Sequence, residues 1–452
     1  MSQATIETDL LRRALERARD TRLLELDHGA RFRTAEAFES LFGGAAAVVV
    51  ADENSFSVAG RDVLDSLKAA GQPIFDPIIL PADGLYAEYS FVDEIRRRVR
   101  PLDAVPIAVG AGTINDLVKL VAHQCGRPYI SVATAASMDG YTAYGASITF
   151  QGSKQTFDCP APWAVIADLD VLAAAPAAMN ASGYADLAAK CPAGADWIAA
   201  DFLGEEAIDR EVWDTVQSQL RSWMANPAGV RSGDFDTIHR ITVALMMSGF
   251  AMQAHLTSRP ASGAEHQFSH LWDMEHHTHL GAAPSHGFKV GIGSLASLAL
   301  YEALNELHIA DLDIERAVKA WPDAAANDQE IAALFAHDEL AAKAREESRL
   351  KLVSRDALRP QLEKLKRGWP ELQGRLADQL IPQAEFRDML REAGAAYASE
   401  QIGITPDRLR RSYRQAYHIR RRFTVLDVAR RAGLMEASLD RIFGTTNRGA
   451  DG

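Results

Sequence analysis

Six of the 13 histidines, His266, His270, His276, His277, His279 and His286, fall between positions 266 and 286, far more than an even scatter would place there. Imidazoles gathered in this way are metal ligands or proton carriers. His266 and His270 are four apart and share one face of a helix, the spacing of HExxH zinc enzymes. Gln267 stands where a metalloprotease needs its glutamate, so that base is absent. His266 and His286 are the candidate ligands, whereas His276, His277 and His279 read as a solvated loop. A catalytic zinc-type site needs three protein ligands and an open position, and two histidines with a carboxylate also suit ferrous iron or nickel. Asp186, in Ser182-Gly183-Tyr184-Ala185-Asp186-Leu187, is an acid among small and apolar residues. Spacing alone does not separate it from Asp273 or Glu275.

A second kind of chemistry is written in Gly110-Ala111-Gly112-Thr113-Ile114-Asn115-Asp116. Glycines after an apolar strand let the backbone approach a ligand, and free N–H groups at the helix start favour phosphate oxygens. Asn115 occupies the place of a third glycine, so this is not the GxGxxG fingerprint. An ordinary turn capped by Thr113 or Asn115 reads equally well. Asp52, at the end of the first expected strand, stands where an acid accepts from a ribose diol and repels a 2′-phosphate, which would favour NAD over NADP, and it reads equally well as an ordinary surface carboxylate after a strand. Thr134-Ala135-Ala136-Ser137-Met138-Asp139-Gly140 reads as a small, polar loop after another strand, where parallel sheets bind ligands, although Asp139-Gly140 also has the composition of a simple turn.

These residues need a scaffold. Val48–Ala51, Ile78–Leu80, Val105–Val109, Tyr129–Val132 and Ala164–Ala167 read as apolar strands alternating with helices at Ser57–Ala70, Glu88–Arg98 and Asn115–Gln124. That is the pattern of a parallel sheet covered on both faces. Beyond about residue 175 the chain is rich in Ala, Leu, Glu, Arg and Met with helical periodicity, as in Val212–Met224, Thr237–Leu256 and Val290–Leu304. The expected fold is an α/β nucleotide-binding domain with a Rossmann-like parallel sheet, 1–175, followed by an all-α metal- and substrate-binding domain, 176–452.

The 452 residues carry 48 basic and 61 acidic side chains, a formal net charge of −13 that argues against general polyanion binding. Cys125, Cys159 and Cys191 lie far apart, without a thiolate zinc motif. The charged N-terminus has no apolar signal region, and the longest apolar run is strand-length, so a cytoplasmic chain without a membrane span is expected. The tail over 407–447, with HIRRRF and DVARRAGLMEASLDRIF, has the outline of a helix-turn-helix around Gly433. It lacks recognition-helix chemistry and reads as a basic surface packed on an acidic body, with no nucleic-acid partner.

In order along roughly residues 45–300, the segments GAGTINDLVK, TAASMDG, SGYADLAAK, SGAEHQFSH and SHGFKVGIG resemble the bacterial sn-glycerol-1-phosphate dehydrogenase family, within the iron-containing alcohol dehydrogenase and dehydroquinate synthase superfamily. The resemblance implies a dehydroquinate synthase-like fold and a cytoplasmic homodimer or higher homo-oligomer serving phospholipid biosynthesis. It implies reversible, NAD- or NADP-dependent reduction of dihydroxyacetone phosphate to sn-glycerol 1-phosphate. Asp186, His266 and His286 would hold one divalent ion (zinc, with nickel or iron as alternatives) acting as a Lewis acid. Asp139 and His270 would contact substrate and relay the proton, with Asp186 also on the substrate side. Gly112, Thr113, Ile114, Asn115 and Asp116 would cradle the cofactor phosphates, Thr134, Ala135, Ala136 and Ser137 would add contacts, and Lys154 would lie near the nicotinamide ribose. Ala143 replaces a serine that often contacts cofactor, leaving only its backbone to serve. Lys190, Arg259 and Lys289 are open choices for the substrate phosphate. The rival functions are a polyol dehydrogenase, a carbocycle-forming lyase, and a silent nucleotide-binding protein on the same fold.

Overall fold

The computed structural model describes residues 3–151 and 153–444. Gly152, beside Lys154, and residues 445–447 of the basic tail lie outside them. The chain forms two compact units, one of Met1–Ala188, Glu211–Ala261 and Glu392–Ala395, the other of Ala189–Arg210, Ser262–Arg391 and Ala396–Gly452.

The first unit holds a six-stranded sheet whose pairings are all parallel: β1 (Leu23–Asp27), β2 (Ala46–Asp52), β3 (Ile78–Leu80), β4 (Ala104–Gly110), β5 (Ile130–Ala133) and β8 (Ala164–Asp168), in the order β1-β8-β5-β4-β2-β3. A separate antiparallel hairpin is formed by β6 (Ala146–Phe150) and β7 (Ser153–Phe157). Alternation along each strand feeds two cores. Val48, Val50 and Ala108 join Leu117, Val118 and Val121 of helix Gly112–Gln124. Val49, Ala51, Ile107 and Val109 join Phe38, Val63 and Leu67 on the other face. Burial on both faces explains why these strands are continuously apolar. After β3 the chain crosses back past β2 to lay down β4, so the strand order reverses between β2 and β4. Such a switch point opens a crevice at the carboxyl ends of the strands.

Two strand expectations need correction. β1 precedes Val48–Ala51, so Asp52 closes the second strand of the chain, not the first. The β6–β7 hairpin was not expected at all, and Lys154 sits on it opposite Thr149.

No strand follows β8 among the described residues. In the second unit, helix His286–Glu306 is apolar nearly all round and buried through most of its length, as a central helix must be. Helix Ala264–Met274 crosses it at Gly293, where a Cβ would lie 2.3 Å from the Glu265 carbonyl oxygen. The tail does form two short helices, Val425–Arg431 and Met435–Phe443, around Gly433 at φ 67°. Four of its arginines are paired with carboxylates: Arg430 with Glu330, Arg431 with Glu205, Arg410 with Asp440 and Arg414 with Glu436. No described helix is long and apolar enough to cross a membrane.

Candidate active site

The carboxyl ends of β2, β4 and β5 bring Asp52, the Gly110–Asp116 turn and the Thr134–Ser137 loop to one edge of the sheet. The helix starts at Gly112, three residues earlier than expected, and its N-cap is Ala111, which offers no side-chain cap. Neither Thr113 nor Asn115 caps it. The Asn115 side chain instead turns inward, accepting from Tyr129 Oη (3.2 Å) and Ser131 Oγ (3.0 Å) and donating to the Gly140 carbonyl (3.3 Å). The first N–H groups of a 13-residue helix are thereby left without a side-chain acceptor, as anion binding requires. Gly110 and Gly112 are dictated by close packing: a Cβ would meet Ile114 at 2.6 Å and Met138 at 3.0 Å.

Asp52 is engaged locally. Its Oδ1 accepts from the Asn54 and Ser55 N–H groups (2.9 and 3.0 Å) and its Oδ2 from Ser55 Oγ (2.7 Å). Asp116 accepts from Ser147 N (3.2 Å), and burial raises its pKa above the usual carboxylate range against the lowering pull of Lys119 and Lys154.

Lys119 ends the segment GAGTINDLVK and has no chemical role legible in the sequence. Its fully buried Nζ donates to the carbonyls of Gly140 (2.9 Å), Ala143 (2.9 Å) and Gly145 (3.0 Å), tying the loop after Asp139 to helix Gly112–Gln124. The Ala143 N–H bonds to Gly140 O at 3.3 Å and its carbonyl accepts from Lys119, so both backbone groups of Ala143 are engaged in holding the loop. The available signal was a lysine inside the apolar run Leu117-Val118-Lys119-Leu120-Val121. Lys119→Met would strand three carbonyls at ~1–3 kcal/mol each. Its thermal midpoint should fall by about 5 °C or more, measured by differential scanning calorimetry.

Asp139 and Asp186 meet in the first unit. The Asp139 N–H donates to Asp186 Oδ2 (3.2 Å), and Asp139 Oδ2 accepts from Ser248 Oγ (2.9 Å). Asp186 is fully buried on helix Ala177–Ala188. The same helix holds the Thr134–Ser137 loop: Asn180 Oδ1 accepts from Ala136 N at 3.2 Å, and a Cβ on Gly183 would lie 1.8 Å from the Ala136 carbonyl oxygen.

In the second unit, Glu265 opens helix Ala264–Met274. Its Oε1 accepts from Gly263 N (2.5 Å) and faces His266 Nδ1 (2.8 Å). Burial pushes the Glu265 carboxyl up to about 7. A carboxylate on Nδ1 is the usual support of a metal-binding histidine, which then coordinates through Nε2. The His266 ring lies 5.3 Å from that of His286 and 6.2 Å from that of His270. His270 faces Arg420, with Nε2···Nη2 3.3 Å. Lys289 is paired with Asp273, and Lys190 and Arg259 are both buried. His277 departs from the solvated-loop expectation: it is half-buried, held by Arg408 (2.7 Å) and the Ile402 carbonyl (2.5 Å).

One ligand atom from each of Asp186, His266 and His286 lies within 4.8 Å of the other two. Ligand atoms about 2.1 Å from one tetrahedral ion sit roughly 3.4 Å apart, so this donor set fits a single divalent ion. It is the sole such group of three or more among the described residues.

Residues 25–176 match the family model described as iron-containing alcohol dehydrogenase. A glycerol-1-phosphate dehydrogenase from Geobacillus thermodenitrificans is 32% identical over 398 residues, covering 86% of this chain and 87% of that one. The chain belongs to the glycerol-1-phosphate dehydrogenase family. Another member, from Halalkalibacterium halodurans, is 37% identical over 258 residues, 56% of this chain and 64% of that relative. Among solved structures, glycerol dehydrogenase from Schizosaccharomyces pombe (16% identity, 93% of this chain and 90% of that one, TM-score 0.57) shares the fold. So does maleylacetate reductase from Rhizobium sp. (16% identity, 94% and 96%, TM-score 0.58). Family membership does not by itself distribute roles among Asp139, Asp186, His266, His270 and His286.

Proposed function

We propose that this chain reduces dihydroxyacetone phosphate to sn-glycerol 1-phosphate with NADH or NADPH, and that Asp186, His266 and His286 hold the divalent ion the reaction needs. The observation that supports this most is the close group of Asp186, His266 and His286 in a chain aligned over 86% of its length with a glycerol-1-phosphate dehydrogenase. In this reading the ion, when bound, lends Lewis acidity to the substrate carbonyl, and the nicotinamide cofactor supplies the hydride. The uncapped N–H groups at Gly112, Thr113 and Ile114 take cofactor phosphate oxygens, with Asn115 and Asp116 fixing the turn. Thr134, Ala135, Ala136 and Ser137 form the adjoining wall, and Lys154 approaches the ribose. Asp139, held by Ser248, orients the substrate hydroxyls. His270 carries the proton that completes the alcohol, so that substrate, reduced cofactor and one proton become alcohol and oxidised cofactor.

The functional division falls at about residue 175, with cofactor binding and the substrate contact of Asp139 before it, and the metal ligands and the other substrate contact, His270, after it. It follows chemistry and so need not coincide with the compact units. Zinc, nickel and iron remain equivalent choices for this donor set. The cytoplasm and a homodimer or higher homo-oligomer are part of the same reading.

Cofactor oxidation by the metal-reconstituted protein tests it. Oxidation should depend on dihydroxyacetone phosphate, stop with a chelator, and return with zinc, nickel or iron. Activity with plain dihydroxyacetone alone would make the chain a polyol dehydrogenase, and activity with neither would remove the dehydrogenase reading.

Cofactor choice follows from Asp52. With an acid at the end of β2, NADH should serve at least as well as NADPH, and Asp52→Ala should move the ratio of kcat/KM towards NADPH by roughly tenfold. The variant also loses a helix cap, at a cost of ~0.5–2 kcal/mol. A stability loss with an unchanged cofactor ratio would leave Asp52 as a cap alone.

A further inference from the structure

The HIRRRF segment joins helix Pro406–His418 to helix Val425–Arg431, and its three arginines have different surroundings. Arg421 is exposed and lies 4.0 Å from Glu347. Arg422 is bonded to the carbonyl (2.8 Å) and hydroxyl oxygens of Ser262. Arg420 is half-buried, and its hydrogen bond is from Nη2 to His270 Nε2 at 3.3 Å. Among the described residues, no carboxylate lies within 4.0 Å of its guanidinium.

That situation is unusual. Of the other basic side chains beside the motifs, Lys289 is paired with Asp273, and Lys190 and Arg259 are wholly buried. Burial works against the charge of Arg420, and the one acid acting on it, Glu347, already accepts from Lys343 and the Arg421 N–H. An arginine offers five N–H donors in a planar fork and no acceptor. The bond to His270 uses one of these donors and leaves most of the fork available. A partly desolvated guanidinium without a counter-ion, beside the histidine assigned to the substrate, is suited to a doubly charged phosphate monoester, which it can grip bidentately.

Resting on the dehydrogenase reading above, we propose that Arg420 is the anchor for the substrate's phosphate group and so sets the preference for phosphorylated over plain ketones. The second bond, to His270, then couples phosphate capture to the orientation of that imidazole.

The test compares holoenzyme of wild type, Arg420→Gln, Arg420→Lys and Arg421→Gln. Two readouts are used: kcat/KM for dihydroxyacetone phosphate against dihydroxyacetone, and binding of inorganic phosphate by titration calorimetry. Arg420→Gln should raise KM for the phosphorylated substrate by about 10²-fold, collapse the selectivity ratio and abolish phosphate binding. Arg420→Lys should recover part of each loss, and Arg421→Gln should match wild type. An equal fall for both ketones with phosphate binding intact would overturn the proposal, making Arg420 a support for His270 only. Phosphate bound through Arg420 by a protein that turns over neither ketone would sustain the anion site while removing the dehydrogenase reading. Turnover of dihydroxyacetone phosphate unaffected by Arg420→Gln would do the reverse.

Discussion

His266→Ala should purify with little metal and no measurable activity, whereas His270→Ala should keep near-normal metal content while kcat/KM falls by roughly 10²–10⁴, the range for a positioned proton-transfer group. Their places on helix Ala264–Met274 do not separate these residues, since both are buried and four apart. Their partners do. His266 has Glu265 on Nδ1 at 2.8 Å and shares the close ligand group with Asp186 and His286. His270 faces Arg420, whose guanidinium within 3.3 Å of Nε2 opposes a cation at that atom. Metal analysis of the two purified variants decides the matter. Equal loss of metal in both would make His270 a ligand and force reassignment of Asp186 or His286.

Gly183→Val should be the most damaging substitution in the first unit that touches no proposed ligand. Any Cβ there falls 1.8 Å from the Ala136 carbonyl oxygen and 3.2 Å from Leu245, and backbone cannot rotate away as a side chain can. Helix Ala177–Ala188 must then withdraw from the Thr134–Ser137 loop. The helix carries Asp186 and the loop forms the proposed cofactor wall, so one shift disturbs both. Overpacking of this kind costs ~3 kcal/mol or more, and a misplacement of about 1 Å costs on the order of 10²-fold in rate. Denaturant unfolding and kcat/KM on the residual folded fraction should both fall. A variant with normal stability would mean that the helix and loop are not held in this contact.

What was legible in the sequence was whatever leaves a pattern along the chain. β2, β4, β5 and β8 are buried on both faces and therefore appear as unbroken apolar runs. β1 escaped because it is an edge strand, half-buried along most of its length, with Glu25 and Asp27 interrupting it. The β6–β7 hairpin escaped because its strands are five residues each and mix Ser, Thr, Lys and Gln with apolar residues. The histidine cluster and the glycine turn were visible by type and spacing.

Their supports were not. Glu265 adjoins His266 in sequence, and neighbours on a helix do not ordinarily face each other, so nothing in the spacing announces that contact. Lys119 looks like a solvated interruption of an apolar helix until its three carbonyl partners are seen. Arg420 is hidden inside a run of three arginines, where composition points to a basic surface. Only the fold distinguishes the one facing His270 from its neighbours.

The most direct test is the stereochemistry of the product. Metal-reconstituted protein with dihydroxyacetone phosphate and NADH should yield one glycerol phosphate per cofactor oxidised, all of it the sn-1 enantiomer, as resolved by an enzymatic assay specific for the sn-3 form. An sn-3 or racemic product, or no metal-dependent cofactor oxidation at all, would contradict the account.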